Sequence, residues 1–183
     1  NSVSGKLKTL DISGAKINAS SGEKLLKLVE QQKCLEELNI SGCNLTSLGT
    51  PNLFLVLSAL PRLKKVNLSN NPIAQLFVDF ISLYFVCLKW ESLDLSNTYF
   101  SDIQLIKLMN NLFKLRKLES LNISKNRFMD WPQCNVENLL DCPMLKEVFL
   151  SPFEKQCKTY EMHNVSTKLT NKIKFYFDSN YLV

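Results

Sequence analysis

The chain has 183 residues, enough for one domain with a substantial core. Apolar residues make up 45% and charged residues 21%, a globular balance that excludes a disordered chain, and the few Gly and Pro exclude collagen-like or linker sequence. The net charge of +5 permits contact with acidic surfaces but falls short of the dense basic stripe of a dedicated nucleic-acid binder.

No charged segment followed by an apolar run and a cleavage site opens the chain, so no signal peptide is read there. The first element is a short pattern of the form L-x-x-L-x-L-x-x-N-x-L, laid on Leu7, Leu10, Ile12, Ala15 and Ile17. It returns at Leu35-Leu38-Ile40-Cys43-Leu45 and at Leu63-Val66-Leu68-Asn71-Ile73. Further copies stand at Trp90-Leu93-Leu95-Thr98-Phe100 and Leu118-Leu121-Ile123-Asn126-Phe128. Two weaker copies follow, Leu145-Val148-Leu150 with Phe153 at the Asn position, and Phe175-Phe177-Asn180-Leu182 with Lys172 at the first Leu position. Successive starts lie 28, 28, 27, 28, 27 and 27 residues apart. A period in this range redefines the whole fold, because each unit can bury its apolar face only against its neighbours.

Within each copy apolar and polar residues alternate, as in Leu93-Asp94-Leu95-Ser96, which predicts a short strand. Between copies the spacing becomes helical. Phe54, Leu57 and Leu60 share one face, and so do Leu105, Met109, Leu112 and Leu115. Ser101-Asp102 reads as one helix start and Pro132 as a first-turn proline of another. The longest apolar stretch, Leu76 to Leu88, is broken by Asp79 and Ser82 and is shorter than the roughly 20 residues a membrane span needs, so it reads as a buried helix.

This pattern resembles the leucine-rich-repeat family, and its length is similar to that of the ribonuclease-inhibitor-like subclass. The resemblance covers essentially the whole chain. It implies an α/β solenoid of about seven repeats, residues 1–183 as a single domain, with a parallel concave sheet and helices on the convex side. The mixed Ala15, Cys43, Asn71, Thr98 and Asn126 at the Asn position depart from a strict motif and leave open whether a buried Asn ladder runs unbroken. With the first motif beginning seven residues in and the last ending at Val183, neither end carries a polar cap, which suggests a segment of a longer protein or an end covered by a partner.

Three columns should face the concave side. One reads Asp11, Asn39, Asn67, Asp94, Asn122, Phe149, Tyr176, and the next Ser13, Ser41, Ser69, Ser96, Ser124, Ser151, Asp178. The third, Thr9, Glu37, Lys65, Ser92, Ser120, Glu147, Lys174, mixes charges and suits a protein better than a phosphate backbone. Phe149 and Tyr176 interrupt the polar ladder, with Phe153 and Tyr181 in the adjoining turns. Large aromatics there read either as interface anchors or as residues under a C-terminal cap. On the convex side, Phe77, Phe80, Ile81 and Tyr84 take core positions of the third helix and leave Phe85, Val86 and Leu88 over, with Phe113 and Leu140 in the column of Phe85. That group is an exposed contact patch or the inner part of a wider helix layer.

Function is expected to lie in binding. His163 is the lone histidine and has no Ser or Cys motif beside it; no P-loop, GxGxxG or HExxH occurs. No catalytic, cofactor-binding or metal site is read, and the acidic neighbours Glu36 and Glu37 should point to opposite faces. The six cysteines, 34, 43, 87, 134, 142 and 157, show no CxxC pair or zinc spacing. Together with sequons at Asn18, Asn39, Asn44, Asn67, Asn122 and Asn164, which in a secreted protein would crowd the sheet with glycans, they favour an intracellular setting with reduced thiols. The partner expected is another protein, and a recognition module or scaffold is the first reading. Lys64-Lys65, Lys114-Arg116-Lys117 and Lys125-Arg127 keep an RNA-contact alternative open, and the convex patch keeps a self-association role open.

Overall fold

A computed structural model describes residues 5–46, 52–83, 88–126, 136–151 and 171–177. Seven strands form one parallel sheet in chain order: β1 Thr9–Asp11, β2 Glu37–Asn39, β3 Lys65–Asn67, β4 Ser92–Asp94, β5 Ser120–Asn122, β6 Glu147–Leu150 and β7 Lys174–Phe177. Each strand pairs with the next in the register the repeats predict, Leu10 with Leu38, Leu38 with Val66, and so on to Val148 with Phe175.

The connections supply the second layer. Helices α1 Ala19–Glu30, α2 Leu53–Ser58, α3 Ala74–Leu83 and α4 Asp102–Asn111 follow the first four strands. In the fifth connection the described residues hold a 3-10 helix, Val136–Asp141. Local signals place the helix starts. Asn18 caps α1, accepting from the Ser21 amide through Oδ1 at 3.0 Å while the Asn18 amide donates to Ser21 Oγ at 2.9 Å. Ser101 opens α4, its amide donating to Gln104 Oε1 at 2.9 Å. Pro132 lies outside the described residues.

The core lies between the layers. From the strands come Leu38, Val66, Leu93, Leu121 and Val148, and from the positions just after or at their ends Ile40, Leu68, Leu95, Ile123 and Leu150, all buried. From the convex side come Phe54, Leu57, Phe77, Phe80, Ile81, Leu105, Met109, Leu112 and Leu115. The rings of Phe54 and Phe77 lie 5.1 Å apart and those of Phe54 and Phe80 5.4 Å, which ties α2 to α3. Val78 is also fully buried, so α3 inserts more of its circumference than its neighbours do.

Candidate partner-binding surface

The concave surface is built by the strand residues that alternate with the core. In β2, β4 and β5 the middle residue is buried and the flanking two are half-buried, so side chains of the two outer columns emerge together on the face opposite the helices.

The Asp/Asn column has a structural task. Asp11, Asn39, Asn67, Asp94 and Asn122 each accept, through a side-chain oxygen, the amide of the Ser two residues on, at 2.8–3.1 Å. These Asx turns end each strand in the same way. Sideways bonds join some members: Asn39 Nδ2 donates to Asp11 Oδ2 at 2.9 Å and Asn122 Nδ2 to Asp94 Oδ2 at 3.1 Å. The hydrogen bonds from Ser13, with that from Asn39, hold the Asp11 carboxyl below its ordinary pKa.

Behind the turns runs the ladder left open by the sequence. Asn71 Nδ2 donates to the carbonyls of Ile40, Leu68 and Ser69 at 2.9–3.0 Å, and its Oδ1 accepts the Leu45 amide at 3.0 Å. Asn126 repeats this with Leu95, Ile123 and Ser124 as acceptors and the Thr98 and Phe100 amides as donors. The other residue types keep part of it. Cys43 Sγ reaches the Ile12 carbonyl at 3.1 Å and Thr98 Oγ1 the Leu95 carbonyl at 2.6 Å. Cys43 thus keeps the bond to the preceding repeat, whereas Thr98 keeps the bond within its own, because either side chain can donate only one.

At the C-terminal end the polar column gives way to aromatics. Phe149 pairs with Tyr176 across β6 and β7, and their rings stack with centroids 4.7 Å apart and planes 14° from parallel. Phe149 is half-buried and Tyr176 is 40% exposed. The Tyr176 hydroxyl lies 3.4 Å from Glu147 Oε1, which places a carboxylate and the register partner Lys174 beside the ring pair. Phe153 and Tyr181 lie outside the described residues.

The convex candidates separate. Phe85 and Val86 lie outside the described residues, and Phe113 is 40% exposed beside Leu140, Arg116, Asp141 and Pro143 around a shallow depression. Leu88 is corrected. It is only 5% exposed and belongs to the core, because it stands two residues before Trp90, where the chain turns inward to begin a repeat. Among the described residues, the most exposed apolar side chains are ones the sequence pattern does not single out: Leu83 at 78%, Ile103 at 68% and Tyr99 at 65%. Tyr99 lies in the turn after the ladder residue Thr98, a place with no periodic signal.

The basic turns are largely engaged. Lys64 pairs with Glu91 at 2.9 Å and Lys65 with Glu37 at 2.7 Å, and hydrogen bonds to those carboxylates raise both lysine pKa values. Lys8–Glu36 at 4.0 Å and Lys146–Glu119 at 2.7 Å continue the pairing between repeats. Lys114 Nζ donates to the carbonyls of Ile81 and Ser82 at the end of α3, where the helix dipole favours a cation. Glu36 and Glu37, adjacent in sequence, thus answer to different lysines. Among the described residues no group of three His, Cys, Asp or Glu is placed to hold a metal, and no helix is long and apolar enough to cross a membrane. His163 lies outside the described residues.

Residues 35–82 match the family described as leucine rich repeats, in two copies. The fold is a leucine-rich-repeat solenoid. Outside that segment the leucine-rich-repeat register continues in the geometry, since Asn126 makes the bonds of Asn71 and strands β4 to β7 keep the same pairing. Comparison with curated proteins finds no match. Solved structures that are similar include an internalin C2 from Listeria monocytogenes str. 4b F2365, with 18% identity over 93% of this chain and 80% of that one, at a TM-score of 0.36.

Proposed function

We propose that this leucine-rich-repeat domain is a protein-recognition module, and that its partner seats on the C-terminal end of the concave sheet. The stacked pair Phe149 and Tyr176 carries the reading. Five preceding strands place there an Asp or Asn that caps its own turn, whereas these two place rings that cap nothing and leave Tyr176 open to solvent. Rigid aromatics with one polar tip are typical binding anchors. The mixed charges beside them, Glu147 and Lys174, and the ion-paired Lys64 and Lys65 suit a protein surface better than a run of phosphates. The substrate-reading part of a ubiquitin-ligase receptor is one role of this kind.

The test compares wild type with Phe149→Ala and Tyr176→Ala by quantitative affinity capture, and then by titration of any protein that the variants lose. An anchor worth about 2 kcal/mol makes the expected loss about 30-fold in affinity. Equal binding by all three, with unchanged melting, removes this site. Capture of RNA in place of protein, with a steep salt dependence, replaces the reading.

A further inference from the structure

Among the described residues, the position after the ladder residue takes one of two backbone forms. Asn44 and Tyr99 are left-handed, with φ of 56° and 67°, whereas Lys16 and Pro72, at the same place in repeats one and three, are not. The difference follows the neighbouring repeat. The Leu45 amide donates to Asn71 Oδ1 at 3.0 Å, and the Phe100 amide to Asn126 Oδ1 at 3.1 Å. Repeats one and three face Cys43 and Thr98, which offer no amide oxygen. There the Ile17 amide goes to the Cys43 carbonyl at 3.0 Å and the Ile73 amide to the Asn71 carbonyl at 2.8 Å.

Asn visits the left-handed region readily, so Asn44 alone would be unremarkable. A bulky aromatic such as Tyr99 does not. We propose that the ladder residue of each repeat sets the turn of the repeat before it, so that Asn126 holds Tyr99 in its left-handed form at the rim of the sheet. A side chain displayed to solvent on one repeat is thereby fixed by a buried side chain of the next. The rule also accounts for Thr98. An Asn there would draw the Ile73 amide toward its side-chain oxygen and ask Pro72 for a positive φ, which the pyrrolidine ring forbids.

A positive φ brings a residue's own amide and α protons close, so it gives a strong intraresidue amide–Hα cross-peak in NMR spectra. Asn126→Thr is expected to lose that strong cross-peak at Tyr99 and keep it at Asn44, which answers to Asn71. Persistence of the strong peak at Tyr99 in the folded variant overturns the proposal. A reciprocal pair tests it should Asn126→Thr fail to fold. Pro72→Ala alone should leave position 72 with a weak peak, and adding Thr98→Asn should make it strong. A strong peak in the single variant, or a weak one in the folded double variant, overturns it equally.

Discussion

Asn71 donates from Nδ2 to the carbonyl of Ile40, 31 residues earlier, at 2.9 Å. With its bonds to Leu68, Ser69 and the Leu45 amide, the one side chain ties two repeats together through four buried backbone groups. Asn71→Ala removes that partner from all four, and of them the Ser69 carbonyl keeps the Gly42 amide at 2.9 Å. Each buried group left unpaired costs about 1–3 kcal/mol, with some relief from relaxation. The expected loss is about 3 kcal/mol or more, measured by urea unfolding. A loss below about 1 kcal/mol would show that the backbone groups find other partners.

Leu68 is completely buried in the strip between sheet and helices. Leu68→Ala removes its contacts and leaves a cavity in a core with neighbours on both sides, at a cost of about 2–5 kcal/mol. Leu88 is buried as well. Leu88→Ala should also destabilise by at least about 2 kcal/mol, whereas a surface leucine would change unfolding by less than about 0.5 kcal/mol.

Gly42 stands at φ 62° in the turn column that reads Gly14, Gly42, Asn70, Asn97, Lys125, every member of which is left-handed. A Cβ at Gly42 would meet nothing nearer than 3.9 Å, so the strain of substitution lies in the backbone and not in a clash. Gly42→Ala should therefore cost about 1 kcal/mol, and Gly42→Asn less, because Asn tolerates this conformation. Equal melting temperatures for both variants and wild type would contradict the backbone account.

Cys142 is buried at the start of the β6 repeat, and desolvation pushes its thiol up from 9.0 to about 12. At neutral pH the thiolate is scarce, so native Cys142 should resist alkylation while the half-buried Cys34 reacts sooner; unfolding should expose it. The sign of the pH effect follows. The folded protein keeps this proton where the unfolded chain releases it, so the contribution is fully present below pH 9.0 and is lost as pH rises toward about 12. Alkylation mapped by mass spectrometry, and unfolding in urea across that window with Cys142→Ala as control, measure both.

The repeat start, its spacing of 27–28 residues and the alternation within each strand are properties of neighbours in sequence, and they determined the fold, the strand register and most of the core. The concave columns were legible for the same reason: once the register is known, Phe149 must lie beside Tyr176. That their rings stack is a matter of side-chain rotamers across two strands, which no local pattern encodes. In the fifth connection the described residues form a 3-10 helix, a distinction the apolar spacing does not make. Leu88 was misplaced because α3 ends before it, and helical phase no longer predicts what a chain buries once the helix has stopped. Tyr99 shows the limit most clearly. Its backbone follows from Asn126, a contact between repeats that exists only after the solenoid has stacked. Period and alternation are written along the chain, whereas the partner of a buried amide is decided about 28 residues away, by whatever side chain the next turn of the solenoid brings within reach.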